Sequence, residues 1–474
     1  MVFSSNIFLF LFLPVTLAGN FLLPKKARNV FLLIASLLFY AWGEPRVVLV
    51  MIASILFNYG MGLLVDRFCI QKKSAAPLRY LLLILAVGGN LGLLFYYKYY
   101  DFFFQNVNSL LGTSVPLKHI PLPIGISFFT FQSLSYVLDL YMGKVKVQRN
   151  VLNLALYVAL FPQLIAGPIV RYIDVAREIE DRTITLSGVA WGIRRFAVGL
   201  VKKMLIANTV ALTADTIFAM PTGAISTGAA WVGALCYMAQ IYFDFSGYSD
   251  MAIGLGRMLG FRFLENFRYP YAATSMTEFW RRWHISMSSW FRDYVYIPLG
   301  GSRRGNRWIN LLAVWFLTGL WHGASWNYIA WGLWNCAFLM LEKPLLKRPV
   351  YQRIPQTVRW AVTMLIILLG WVLFREESMA TGLRYMGVMF GRAEAGVSYT
   401  ARWFLNRRLV VTLVLAFVAS MPWKEALRRV PFVARLRGTV TLHAAYAVAT
   451  VALLFIGVVL CMTSTYNPFI YFRF

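Results

Sequence analysis

The sequence predicts an all-α integral membrane protein, and three observations predict it. Its apolar content exceeds what a water-soluble core needs, its apolar runs reach membrane length, and its basic residues gather in short segments between those runs. Of the 474 residues, 59% are hydrophobic and 16% aromatic, and the mean hydropathy is +0.62. A soluble globular chain holds about 45–50% apolar residues, so the excess calls for lipid as solvent. The runs cover residues 6–23, 30–42, 47–65, 81–97, 151–170, 361–374, 409–421 and 441–462. A bilayer crossing takes roughly 20 predominantly apolar residues; several runs reach or approach that, and the shorter ones read as re-entrant or shielded by other helices. Length alone predicts roughly ten to thirteen membrane helices. No stretch is long enough for a soluble domain, so residues 1–474 read as a single multi-pass membrane domain.

The first run lacks a basic start and a small-residue cleavage site, which predicts a retained helix rather than a removed signal. Lys25, Lys26 and Arg28 follow it, placing that end in the cytoplasm. The same rule explains the net charge of +27, from 46 Lys and Arg against 19 Asp and Glu. The basic groups are Arg67/Lys72/Lys73/Arg79, Lys343/Lys347/Arg348/Arg353/Arg359 and Lys424/Arg428/Arg429/Arg435/Arg437. Cytoplasmic membrane loops carry this excess and attract anionic lipid heads, so nucleic acid is excluded as the partner. Cys69, Cys236, Cys336 and Cys461 lie far apart, without disulfide or metal spacing, and read as buried thiols.

The segment 101–121, with Lys118 as its only basic residue, reads as an outward loop; its His119 is an ordinary solvated histidine. Proline and glycine then interrupt the chain at IPLPIG and again at LFPQLIAGP. Broken backbone at membrane depth survives only inside protein or beside a water-filled cavity, so these breaks predict either a cavity or helix ends at the membrane surface. Asp244 and Asp250, in YFDFSGYSDMAIG, are the best acidic candidates for buried partners or ligands.

Residues 278–296, EFWRRWHISMSSWFRDYVY, read as one amphipathic helix along the membrane surface. At 100° per residue, Phe279, Trp283, Met287, Trp290 and Tyr294 share an arc of about 80°, with Arg281, Arg282, Arg292 and Asp293 opposite and His284 at the border. GGSRRGNR follows, a glycine–arginine loop suited to phosphate groups through backbone N–H and the Arg303 and Arg304 guanidinium groups. Next comes WINLLAVWFLTGLWHGASW, whose sole ionisable side chain is His322. Ionisable groups in such runs are functional hypotheses by default. Trp308, Leu311, Leu312, Trp315, Thr318, Gly319 and His322 share one stripe, so Thr318 and Gly319 leave space and the tryptophans, Trp315 and Trp321 among them, supply rigid walls. Burial favours the neutral imidazole, which can take a proton from a hydroxyl as it attacks an acyl carbonyl; the bland alternative is a histidine bonded to a carbonyl between helices. His443 also lies in an apolar run but lacks that context and reads as a packing residue. HExxH, GxSxG, paired-carboxylate and P-loop patterns are missing from the sequence.

With these residues in hand, FWRRWHISMSSWFRDYVYIPLGG and LTGLWHGASWNYIAWG resemble the membrane-bound O-acyltransferase (MBOAT) superfamily, in particular its alginate and exopolysaccharide O-acetylation subgroup. The resemblance extends to MVFSSNIFLFLFLP, PIGISFFTFQSLSYVLDLY, FPQLIAGPIVRY, YFDFSGYSDMAIGLGRMLGFRFLENF and YNPFIYFRF, nearly the whole chain. It implies membrane, re-entrant and amphipathic helices around a central tunnel, His322 as the catalytic residue and His284 as a second functional histidine nearer the cytoplasm. It implies a bacterial inner-membrane enzyme with no permanently bound cofactor. Acetyl-CoA is the implied donor, its anionic part held by Arg281, Arg282, Arg303 and Arg304 beside Trp283. The acetyl group then passes to a periplasmic acetyltransferase of the SGNH type, alongside the polysaccharide synthesis and export machinery, for addition to alginate or cellulose.

Two other classes compete. A transporter or channel of polysaccharide export would leave thioester intact, whereas an enzyme releases free CoA; broken helices suit transporters, but the internal repeat they often carry is not evident. A structural scaffold would tolerate replacement of both His284 and His322.

Overall fold

The computed structural model describes residues 1–72, 75–393, 398–427, 430, 439–464, 466, 468 and 470, the side chains of Val350 and Lys424 excepted. Lys73, Arg428, Arg429, Arg435, Arg437, the Lys424 side chain and much of the closing motif therefore lie outside the described residues. The fold is all-helical and membrane-embedded. Among the described residues, five helical stretches are long and apolar enough to cross a bilayer: Val47–Gln71, Ala76–Leu111, Leu186–Phe218, Gln356–Arg375 and Val440–Thr463. Other apolar runs fold as shorter or interrupted helices. Two compact units are present, residues 1–196 with 251–264, and residues 197–250 with 265–474.

The first unit contains α1 (Leu13–Leu22), α2 (Lys25–Ala41), α3 (Val47–Val65), α4 (Ala76–Leu94), α5 (Tyr100–Leu111), α6 (Ile126–Tyr141), α7 (Val151–Ala159) and α8 (Tyr172–Glu180). Side-chain amides join spans that hydrophobicity alone would leave loose in lipid: Asn58 and Asn90 exchange hydrogen bonds of 3.0 and 2.8 Å between α3 and α4. The two proline–glycine breaks occur where expected, before α6 and after α7. They pack on each other. Gly125, at φ 77°, turns the chain into α6, and a Cβ there would sit 2.7 Å from the Leu164 carbonyl oxygen. His119 is exposed in its loop, its backbone N–H donating to Asp101 at 2.8 Å.

Two helices span the unit boundary in sequence, α9 (Leu186–Val201) and α11 (Thr227–Met258), with α10 (Asn208–Phe218) between them. The second unit continues with α12 (Met276–Arg282), α13 (Ile285–Phe291), α14 (Arg307–His322), α15 (Trp326–Leu345), α16 (Gln356–Arg375), α17 (Met379–Met389), α18 (Arg407–Ala419) and α19 (Val440–Thr463). The hairpin of α14 and α15 positions the site. Asn306 caps α14, accepting from the Trp308 N–H at 2.9 Å. Gly319 faces α15 so closely that a Cβ would lie 2.4 Å from the Tyr328 carbonyl oxygen, and Gly332 meets the Trp315 carbonyl oxygen at the same 2.4 Å. Small residues thus let the two helices touch along their backbones. Arg307 begins α14 and Lys343 lies in the last turn of α15, so the hairpin is basic at both free ends, and the turn after His322 joins the two helices.

Three expectations are corrected here. Residues 278–296 are not one helix: α12 stops at Arg282, α13 starts at Ile285, and His284 between them has φ 43°. Its apolar arc does not face lipid either, since Phe279, Trp283, Met287 and Trp290 are buried. Nor is His284 at a border between faces; it is 0% exposed. The periodicity is genuine, but protein rather than membrane covers that face.

Candidate functional site

His284 owes its place to the helix break. A non-glycine residue in the left-handed region is uncommon and costs of order 1–3 kcal/mol, and surrounding contacts hold it. Asn266 supplies them. Its backbone carbonyl accepts from the Ile285 N–H at 3.0 Å, and its side-chain Oδ1 accepts from the Ser286 N–H at 3.3 Å and the Ser286 hydroxyl at 2.9 Å. The Asn266 amide nitrogen donates to Ser249 at 3.0 Å. Because the Ser286 N–H fixes Oδ1 as an acceptor, the His284 Nδ1 that lies 3.1 Å from it must carry the proton. The ring lone pair is then on Nε2, the tautomer a proton acceptor requires. Phe245 meets the imidazole edge-on, with ring centroids 4.6 Å apart.

His322 is placed by different means. It is the last residue of α14, 8% exposed, among three aromatic neighbours: Trp321, Trp331 and Phe374, with centroids 4.9, 5.1 and 5.2 Å away. Trp331 and Phe374 come from α15 and α16, which the glycine contacts and the Trp334 indole N–H, donating to the Ile366 carbonyl at 3.1 Å, bind to the hairpin. An apolar run ending in a histidine is thereby folded into a ring-walled pocket.

The two imidazoles line one cavity. Ile241, Phe245, Trp283, Trp331, Trp371, Phe374 and Ile470 complete its wall, and its volume is ≈ 20 Å³. That is room for one water. The tunnel expected from the sequence is therefore, in this structure, a water-sized chamber between His284 and His322, and a larger occupant requires side chains of the wall to move. Trp283 joins the wall stacked on Phe279, at 5.6 Å, and tilted against Trp371, at 4.8 Å.

The other expected tunnel residues sit outside this wall. Trp315 packs on Trp280 at 4.6 Å, the Thr318 hydroxyl donates to the Val314 carbonyl at 2.7 Å, and Gly319 serves the contact with α15. Trp321 packs near both imidazoles, with ring centroids 6.2 Å from His284 and 4.9 Å from His322. Of the arginines, Arg282 is engaged by Glu278 at 2.5 Å, while Arg281, Arg303 and Arg304 are exposed. Sequence reasoning missed Asn266, Ile241, Phe245, Trp331, Trp371, Phe374 and Ile470.

Beyond the cavity, the turn end of the hairpin opens on a basin of ≈ 1170 Å³, lined by Asp215, Tyr237, Asn327, Tyr328, Arg375 and Arg384 among others. Tyr328 on the basin and Phe374 on the cavity stand 5.1 Å apart, ring to ring. Arg375 holds Asp215 at 2.8 Å. As expected, Asp244 and Asp250 are buried with partners: Lys203 approaches Asp244 at 2.7 Å, and Lys202 approaches Asp250 at 2.8 Å. His443 is exposed on α19, its Nδ1 2.8 Å from the Thr439 carbonyl oxygen, away from all of this.

Comparison with known proteins gives a consistent picture. The sequence profile of the MBOAT, membrane-bound O-acyltransferase family matches residues 145–347, which include both histidines. The chain is 43% identical to a probable alginate O-acetylase of Pseudomonas putida, over 100% of both chains. It is 45% identical to a probable alginate O-acetylase of Pseudomonas aeruginosa, covering 88% of this chain and 80% of that one. A peptidoglycan O-acetyltransferase of Helicobacter pylori is 35% identical, over 86% of this chain and 84% of the relative.

Proposed function

Since the chain belongs to the membrane-bound O-acyltransferase family, in its alginate O-acetylation subgroup, and is a membrane acyltransferase, we propose that it takes acetyl from cytoplasmic acetyl-CoA and passes it across the bacterial inner membrane. The receiving partner is a periplasmic acetyltransferase of the SGNH type working beside the polysaccharide synthesis and export machinery. The names of the Pseudomonas relatives favour alginate over cellulose as the polymer. The whole chain works as one membrane domain, with anionic lipids at its basic loops.

One observation carries this reading: two imidazoles, delivered by separate elements, face the same apolar chamber. His322 is the proposed catalytic base and His284 the second functional histidine. An acceptor hydroxyl oxygen bonds to the acyl carbon as the thioester C–S bond breaks, and an imidazole relays the hydroxyl proton to the departing thiolate. Water exclusion by the rings protects the thioester from hydrolysis. Arg281, Arg303 and Arg304, exposed near the basic end of the hairpin, suit the anionic part of CoA, and Arg282 contributes once it exchanges Glu278 for a phosphate. The basin at the opposite end suits an outward acceptor.

The test is a His322→Ala variant in membrane vesicles, scored for CoA release from acetyl-CoA and for ester on the polymer. Both readouts are expected to collapse while the protein remains inserted. Full acetylation by that variant would sink the proposal.

A further inference from the structure

The acetyl group is the smallest acyl group with a methyl, and the chamber between the imidazoles has room for one water. Size is therefore decided by the wall, and the wall is uneven. Five of its residues are aromatic, and four of these rings pack in sequence: Trp331 lies 5.8 Å from Trp371 and 4.9 Å from Phe374, and Trp371 lies 4.8 Å from Trp283, while Phe245 packs on Phe267 at 4.9 Å. Ile241 is fixed in the middle of α11. Ile470 differs from all of these. It arrives on the segment after α19, outside any long helix, and is 3% exposed.

What holds Ile470 is polar and acts on its backbone. Its N–H donates to Asp244 Oδ2 at 2.9 Å, and the other Asp244 oxygen pairs with Lys203 at 2.7 Å. Lys203 Nζ also donates to the Pro468 carbonyl oxygen, and the Asn208 amide donates to the Tyr466 carbonyl oxygen at 3.3 Å. The segment is thus anchored through its peptide groups to a buried ion pair, with the Ile470 side chain left as an interchangeable stop. Changing that side chain alters the chamber's volume without disturbing the anchors, because none of those contacts uses it.

We infer that Ile470 sets the upper limit on acyl size at this site, admitting acetyl and excluding longer groups. The inference rests on the acyl-transfer reading above and adds to it the residue that selects the substrate. One methylene in a hydrophobic pocket is discriminated by roughly 10–200-fold, and shortening a buried side chain leaves a cavity that surrounding structure fills only in part.

The experiment compares full-length wild type, Ile470→Ala, Ile470→Val and Ile470→Phe in cells fed propionate. Mass spectrometry reads the ratio of propionyl to acetyl esters on the polymer. Ile470→Ala is expected to raise the ratio at least about tenfold, Ile470→Val to raise it less, and Ile470→Phe to cut acetyl ester below wild type. An unchanged ratio in Ile470→Ala overturns the inference. Where Ile470→Ala inserts but transfers nothing, Ile470→Val decides: a ratio equal to wild type overturns it. Acetyl-CoA and propionyl-CoA are supplied in parallel to vesicles. A wild type that uses neither there refutes CoA as donor, and the cellular ester ratio still judges Ile470.

Discussion

His284 sits at a break in the backbone and is gripped by an amide and a hydroxyl, whereas His322 ends a regular helix and is set among rings. The two stretches that hold them differ as much as the residues do. Around His284, Asn266 fixes the tautomer and the ring plane, so orientation is encoded by hydrogen bonds that a single atom change can remove. Around His322, position is encoded by shape: glycine contacts set the hairpin, and Trp331 and Phe374 fill what is left. One chamber therefore combines an imidazole oriented by hydrogen bonds with one positioned by ring packing.

That contrast can be broken in graded ways. The largest effect is expected from His322→Ala, which should lower acetyl transfer by about 10²–10⁴-fold, measured as CoA released per inserted protein. Next, Asn266→Ala should cost about 10²-fold by letting the His284 ring turn. Adding it to His284→Ala should cost little more, because the amide acts through the ring; independent, additive losses in that double-mutant cycle would refute the orienting role. A smaller effect, on stability, belongs to Gly319→Ala, where the new methyl collides with the Tyr328 carbonyl oxygen. Destabilisation of about 1–3 kcal/mol is expected, read as a lowered unfolding temperature in detergent. The smallest is His443→Leu, a histidine in an apolar helix without a chamber. Transfer should stay at wild-type rate and stability within about 0.5 kcal/mol, and a large loss there would show that burial in a walled cavity is not what separates His322 from other helical histidines.

Much of this was legible in the sequence. Hydropathy found the helical membrane fold, the lone ionisable group in residues 308–326 singled out His322, and proline–glycine runs marked both breaks in the first unit. The break at Trp283–His284 was invisible because neither glycine nor proline marks it, and the 3.6-residue period of Phe279, Trp283, Met287 and Trp290 continues across it. Tertiary contacts from Asn266 impose that turn. Trp331, Trp371 and Phe374 were hidden for another reason: in a membrane protein an aromatic residue facing lipid and one facing a cavity have the same composition signal. Trp315, Thr318 and Gly319 share His322's stripe, but on a helix that touches its neighbour so closely a shared stripe reports packing and not a passage.

The ion pair beneath Ile470 has an electrical consequence. Lys203 and Asp244 cancel each other, and acetyl bound as an ester is uncharged. A membrane voltage does work only on net charge, about 2.3 kcal/mol per elementary charge per 100 mV. Under the proposed transfer, acyl passage past this neutral wall moves no net charge, so its rate should be the same in energised and in depolarised membranes.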